Sequence, residues 1–265
     1  MLNSFPQAVT IAGSDCDGSA GLQADLNTFQ AQKVYGMSIV TAAVAGNSYG
    51  IFDSVALTTD FIDAQFKALA TDFKIRAVKT GMLTDQATIE CVVKNLQHYQ
   101  WPNLVLDPVI ITKHQALLLE TKAYQTLIKE LWPLALLVTP NFFEAQKLSG
   151  LKLATSLQIQ QAAQRLQELG AKNVLIKGTH DDPQQQKVRD YVLFEDGTEK
   201  WLEADLIHTT HVNGTGDTLS AAIAAQLALG KTLDASIQIA ENYTHQAIAQ
   251  EIAVGHKYGP INHLV

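Results

Sequence analysis

At 265 residues, the chain is long enough for one large α/β domain or two small ones. Apolar residues make up 47% and charged residues 17%, which provides for a sizeable core and argues against disorder. The formal net charge of −7 disfavours non-specific association with nucleic acid or an anionic membrane, since both attract basic surfaces.

The first apolar run, AVTIAG (8–13), reads as a buried strand. It runs into GSDCDGSAGLQAD (13–25), a glycine-rich turn that enters a helix. Further runs bounded by Gly or Pro lie at 36–46, 75–81, 103–109, 135–140 and 173–178. They lack polar alternation, as parallel strands covered on both faces do. Helical spacing appears between them. DQATIECVVKNLQHY (85–99) sets Ile89, Val92, Val93 and Leu96 on one face. SLQIQQAAQRLQELG (156–170) does the same with Leu157, Ile159, Ala162, Ala163 and Leu166, and stops at Gly170. Residues 189–207 alternate apolar and polar around Asp196-Gly197, which predicts a half-exposed edge hairpin with a type I′ turn. Helices over 218–230 and about 233–252 close the chain. With no linker, repeat or low-complexity tract, residues 1–265 read as one doubly wound α/β domain: a mostly parallel sheet with helices on both faces.

In such a sheet, ligands bind beyond the carboxyl ends of the strands. The turn at 13–25 is neither a P-loop nor a dinucleotide fingerprint. Its small residues allow close backbone approach to a ligand, and Asp15 or Asp25 could bind hydroxyls. The alternative is a tight turn with capping aspartates. The second glycine cluster, HVNGTGDTLSAAIAAQLALG (211–230), opens a helix with Gly214, Thr215 and Gly216. Unpaired N–H groups and the dipole there favour an anion. A carboxylate at Asp217 would repel a resting phosphate, but it suits phosphoryl transfer, where it receives the proton of an attacking hydroxyl. An ordinary capped helix is the alternative. Asp107 and Glu144 also follow strands, with Asn141 beside the latter, and Mg2+ takes such oxygen ligands. Asn141 and Glu144 equally stand at capping-box spacing. Lys177 ends a strand where a cation could meet phosphates, or is a surface lysine.

Taken in order, TIAGSD, GSAGLQADL, VYGMS, AVKTGML, VLDPV, TPNFFEA, IKG, NGTGDTLSAAIA and GHKYGPINH resemble the ribokinase superfamily. More narrowly, they resemble its hydroxymethylpyrimidine and phosphomethylpyrimidine kinases, together with the bacterial pyridoxal kinases of that sequence type. The resemblance runs from about Ala8 to His263. It implies a kinase using ATP and Mg2+, active as a homodimer. Gly214, Thr215 and Gly216 would form the anion hole, and Asp217 would be the base. Asp107 and Glu144 would organise Mg2+, with Asn141, Lys177 and Gly178 on the ATP phosphates and Asn242 near adenine. Asp15, Gly21, Met82, Gly46 and Asn47 would border the substrate ring.

Two positions depart from the narrower pattern. Asp217 stands where most such relatives have cysteine. Ala45-Gly46-Asn47 replaces an Ala-Gln-Asn stretch whose glutamine reads the aminopyrimidine edge. Without that reader the expected substrate is pyridoxal or pyridoxine, with hydroxymethylpyrimidine as the alternative. A nucleotide-binding sensor without catalysis is a remoter reading, which Asp217 argues against. A nicotinamide oxidoreductase lacks its fingerprint glycines.

His208, His211, His256 and His263 match no zinc spacing. Cys16 and Met37 read as filler and core. Two cysteines build no disulfide framework, no apolar run reaches membrane-spanning length, and no export signal is evident, so a cytoplasmic protein is expected.

Overall fold

A computed structural model describes residues 2–111, 119, 121–179 and 184–265. Nine strands form one sheet in the order β3-β2-β1-β4-β5-β6-β7-β8-β9. The six central strands are parallel: β2 (Tyr35–Asn47), β1 (Gln7–Asp15), β4 (Ala77–Thr80), β5 (Leu104–Leu106), β6 (Leu137–Val138) and β7 (Asn173–Ile176). Antiparallel strands flank them. On one side lies β3 (Gly50–Ala56), and on the other the hairpin of β8 (Lys187–Leu193) and β9 (Glu199–Asp205). This is the expected doubly wound architecture with its edge hairpin.

Two apolar layers cover the sheet. One face packs against α2 (Thr59–Ala70), α3 (Gln86–Tyr99), α4 (Thr121–Thr126), α5 (Phe142–Ser149) and α6 (Ser156–Glu168). The opposite face packs against α1 (Gly21–Ala31), α7 (Thr215–Ala228) and α8 (Leu233–Ala249). Helix α7 is buried at every position from Thr218 to Ala228, so it shows no polar face and forms the middle of its layer. Strand parity then fixes which side chains can meet it. Ala8, Ala77, Val105 and Leu175 all belong to the α7 layer. Two residues further along each strand direction, Thr10, Lys79, Asp107 and Lys177 therefore share that face.

Several expectations need correction. The hairpin turn is not type I′: Gly197 has φ +83, but Asp196 is not left-handed, and Gly197 N–H donates to the Phe194 carbonyl at 3.0 Å. That is a type I turn closed by a left-handed glycine, the usual three-residue hairpin. On α6, Leu157 is exposed, because it lies two residues from Ile159 and thus across the helix from the buried Ala162, Ala163 and Leu166. The strands beginning at Leu104 and Leu137 are far shorter than their apolar runs, and the last helix ends at Ala249. Strand β3, exposed along its whole length, and helix α2 were not anticipated.

Candidate functional site

A cavity of about 1080 Å³ opens along the carboxyl ends of the strands. That volume lies just above the usual range for one small ligand and leaves room for two. Gly13, Asp15, Gly21, Val44, Ile51 and Met82 line one end; Asp107, Asn141, Glu144, Lys177 and residues 214–217 line the middle. The far end is walled by Asp190, Leu206, Glu241, Thr244, His245 and Ile248.

Two helices start at this cavity without a side-chain cap. Thr58, Asp85, Asn141, Thr155 and Thr232 cap α2, α3, α5, α6 and α8, whereas Ala20 and Gly214 leave α1 and α7 open. Gly214 has φ +80, and a β-carbon there would overlap the carbonyl oxygen of Ser19. Only glycine meets both conditions. Among the described residues, the N–H groups of Gly216 and Asp217 have no backbone partner. Both residues line the cavity, and free N–H groups at a helix start suit an anion. A β-carbon on Gly216 would lie 3.2 Å from Lys177 Nζ and 3.5 Å from Asp107 Oδ2, so the bare glycine also makes room for that ion pair.

Charges alternate across the site. Lys177 Nζ donates to Asp107 Oδ2 at 3.0 Å. Burial alone would lower the Lys177 pKa, but Asp107 and then Glu144 outweigh it and raise it. Lys79 Nζ lies 2.9 Å from Asp217 Oδ1 and 2.9 Å from Asp25. Lys79 and Asp25 are both fully buried, so Asp25 cannot bind a substrate hydroxyl as expected; it faces the core and accepts the Thr10 hydroxyl at 2.5 Å. Burial, with the charge of Asp217, pushes Asp25 up to about 7 against the pull of Lys79. Asp15 is raised by burial and then by Asp17.

Glu144 is a cap. It is 1% exposed. One oxygen accepts Ile110 N–H at 2.8 Å and the other Asn141 N–H at 2.8 Å, while Asn141 Oδ1 accepts Glu144 N–H at 3.0 Å. The capping box is thus present, and it also holds the chain after β5. Burial, with Asp107 beside it, pushes the Glu144 carboxyl up to about 7. Among the described residues no cluster of three or more His, Cys, Asp or Glu forms a ready metal cage. The donor set suits an ion that keeps most of its water: Asp107 has one oxygen outside the Lys177 pair, and Glu144 is close behind it.

The remaining expected residues are distributed as follows. Asp15, Gly21 and Met82 line the ring end of the cavity, but Gly46 and Asn47 are not on its walls. Gly46 O accepts the Cys16 thiol at 3.3 Å, and Asn47 Oδ1 accepts Tyr49 N–H in the turn to β3. Gly178 N–H is held by Asp190 Oδ1 at 2.6 Å, and a β-carbon on Gly178 would lie 2.5 Å from the Arg189 oxygen. Asn242 is exposed and off the wall; Glu241, Thr244, His245 and Ile248 form it, because they share one face of α8 and the next residue is rotated by about 100°. His208 and His211 line the cavity, while His263 is buried against Thr218 Oγ1 at 2.9 Å. Met37 is core and Cys16 is exposed.

Lys79, Glu241 and Asp190 carried no assignment from the sequence. For Lys79 a signal existed, since a lysine inside a strand buried on both faces needs a counter-charge. Glu241 is raised well above its usual value by burial and then by Asp190, and the two carboxyls come from elements 51 positions apart, beyond the reach of local pattern.

The model of the phosphomethylpyrimidine kinase family matches residues 15–262. A hydroxymethylpyrimidine/phosphomethylpyrimidine kinase of Haemophilus influenzae is 42% identical over 99% of this chain and 98% of its own. A pyridoxine kinase of Bacillus subtilis is 38% identical over 98% of this chain and 96% of its own. The crystal structure of Bacillus subtilis pyridoxal kinase in an ADP complex superposes with a TM-score of 0.89, at 36% identity and 98% coverage of both chains.

Proposed function

Because the chain belongs to the phosphomethylpyrimidine kinase family, an ATP-dependent small-molecule kinase family acting on vitamin precursors, we propose that its substrate is pyridoxal or pyridoxine. The observation that carries this reading is the lining of the ring end, which is Val44, Ile51 and Met82 with Asp15 as a polar group. Gly46, two residues beyond Val44 on β2, lies off the wall and has no side-chain amide to reach in from there. The competing substrate is hydroxymethylpyrimidine, which the Haemophilus relative's name favours. A panel of kcat/KM values for pyridoxal, pyridoxine, hydroxymethylpyrimidine and its monophosphate decides between them. A clear preference for either pyrimidine would overturn the assignment.

In this reading the substrate hydroxymethyl group meets the free oxygen of Asp217. Asp217 takes the hydroxyl proton as the oxygen attacks the γ-phosphorus of ATP, and the bond to the ADP oxygen breaks. The N–H groups of Gly216 and Asp217, in the turn opened by Gly214 and Thr215, and the Lys177 ammonium meet the charge on the phosphoryl oxygens. Asp107 would hold Mg2+ directly or through water, with Glu144 behind it; the ion would supply charge neutralisation on the ATP phosphates. Asn141 anchors the chain around Asp107. The nucleotide base takes the far end, against α8.

The whole of residues 1–265 acts as one kinase domain in this proposal, in the cytoplasm and as a homodimer. Edge strand β3 supports the dimer, since Ile51, Phe52 and Val55 are each more than half exposed on a strand that ends the sheet. Sedimentation analysis of wild type against Phe52→Lys tests it. A monomeric wild type would refute it. No helix among the described residues is long and apolar enough to cross a membrane.

A further inference from the structure

Lys79 takes no part in the chemistry above, yet it is among the largest fully buried side chains of the molecule. It sits in β4, whose four residues are all buried, directly across from Thr10 of β1. Its ammonium donates to Asp25 Oδ2 and Asp217 Oδ1, and Asp25 Oδ1 lies beside it without a hydrogen bond. Nζ is 2.9 Å from each oxygen of Asp25 and 2.9 Å from Asp217 Oδ1. Asp25 is itself tied down by the Thr10 hydroxyl at 2.5 Å. Exposure rises along the chain of contacts, from 0% at the Asp25 and Lys79 side chains to 21% at Asp217. One end is therefore fixed in the core and the other opens on the cavity.

A buried ion pair is a poor way to stabilise a core, since apolar side chains of similar volume usually do as well or better. The arrangement has a different consequence. Asp217 lies in the first turn of α7, where a free carboxylate would swing among rotamers or fold back onto the unpaired N–H groups. Anchoring Oδ1 leaves Oδ2 as the free oxygen of a residue that lines the cavity. We propose that the Asp25–Lys79 pair is a positioning device that holds Asp217 in the one orientation in which it can take the substrate proton. This rests on Asp217 being the base. Asp25 and Lys79 act through Asp217 and touch no substrate.

The test uses a cycle of variants in the full chain. Lys79→Met alone leaves Asp25 buried and unpaired, so the principal variant is Lys79→Met/Asp25→Asn, which removes both charges and keeps an acceptor for Thr10. It is measured in the wild-type and Asp217→Asn backgrounds, for kcat and for KM of ATP and of pyridoxal. In the wild-type background kcat should fall at least about tenfold while KM for ATP stays within about twofold. In the Asp217→Asn background the same change should cost less than about twofold, because the device has nothing left to position. A folded double variant with wild-type kcat overturns the proposal, and so does a loss that adds in full to that of Asp217→Asn. If the double variant does not fold, Asp25→Asn, nearly isosteric, is read in the same cycle. Its kcat should fall about threefold or more in the wild-type background only, and an unchanged kcat overturns the proposal. Asp217→Asn retaining wild-type kcat would instead refute the base itself.

Discussion

The carbonyl oxygen of Ser19 occupies the place that a β-carbon on Gly214 would need, so the starts of α1 and α7 meet backbone to backbone. Both helices begin there without a side-chain cap. Gly214→Ala should therefore damage fold and activity together. The φ of +80 costs an alanine about 1–2 kcal/mol before the overlap is counted. At about 2–4 °C per kcal/mol for a chain of this size, Tm should drop by several degrees. Displacing the N–H groups proposed to meet the phosphoryl charge should lower kcat by about 10²-fold, as loss of one such donor does elsewhere. Thermal unfolding and initial rates check both. A variant with wild-type Tm would show that the close approach is not obligatory.

Asp217→Asn should leave ATP binding nearly intact and reduce turnover. The amide still fills the space and can keep an oxygen on Lys79, but it cannot accept the proton. General-base catalysis is worth about 10²–10⁴-fold, so kcat should fall within that range. Titration with a non-hydrolysable ATP analogue should give an affinity within about twofold of wild type. A kcat equally close to wild type would remove Asp217 from the chemistry.

The parallel strands were legible because burial on both faces leaves uninterrupted apolar runs, as at Leu104–Leu106 and Val174–Ile176. The uncapped glycine start of α7 was legible for a related reason: a bare backbone at a helix start has few structural uses. Strand β3 was not, because GIFDSVA is exposed at every position and its pairing with β2 leaves no burial period to read. Lys79 shows the other limit. Its partners, Asp25 and Asp217, are 54 and 138 positions away, and no local period announces an ion triad that only the sheet assembles. Glu144 was legible twice over, as cap and as candidate ligand, and the geometry makes the cap explicit.

Glu144→Gln should weaken both the local fold and the response to Mg2+. Each carboxylate oxygen accepts a backbone N–H, from Ile110 and from Asn141. An amide would turn an NH2 toward one of them, leaving a buried donor unpaired at a cost of about 1–3 kcal/mol. Since Glu144 also stands behind Asp107, the Mg2+ concentration for half-maximal rate should rise several-fold. Rates measured across a magnesium titration, beside thermal unfolding, separate the effects. An unchanged magnesium dependence would refute the assignment of Glu144 to the metal.

His263 gives a pH dependence of stability. Burial lowers its imidazole below the usual 6.5, with the charge of Asp217 opposing only in part. Below 6.5 this imidazole thus binds more protons in the unfolded chain than in the folded one, and its own contribution to stability rises with pH in that window. The contribution is complete above the unfolded value and is lost as pH falls toward the folded one. The raised carboxyls of Asp25, Glu144 and Glu241 act in the opposite sense over the same range, so the His263 contribution is read as a difference: from about pH 7.5 to about pH 5 the Tm of wild type should fall relative to that of His263→Gln. At the upper pH that variant should cost about 0.5–1.5 kcal/mol if it loses the bond to Thr218. An identical slope in both proteins would assign the acid sensitivity to other groups.

The proposed substrate choice is tested at position 46. An aminopyrimidine presents a ring-nitrogen acceptor beside an amino donor, a pair that one side-chain amide can satisfy together. A pyridoxal ring carries a phenolic oxygen and a ring nitrogen in a different arrangement, for which that amide is dispensable. Losing one neutral hydrogen bond costs about 0.5–1.5 kcal/mol, and more if a substrate group is left buried and unpaired. At about 1.4 kcal/mol per decade, the wild type should handle hydroxymethylpyrimidine about tenfold less well than pyridoxal or pyridoxine. Gly46→Gln should narrow or reverse that gap. The backbone there is tight: a β-carbon on Gly46 would lie 3.0 Å from the Gly50 oxygen and 3.4 Å from Ile51 Cα. Gly46→Ala is therefore the control, since it imposes the same crowding without the amide. If the amide is what reads the pyrimidine, Gly46→Ala lowers kcat/KM for both substrates alike, and Gly46→Gln alone shifts their ratio. Should the wild type prefer hydroxymethylpyrimidine, and Gly46→Gln leave the ratio where Gly46→Ala leaves it, the pyridoxal assignment falls while the kinase chemistry around Asp217 stands.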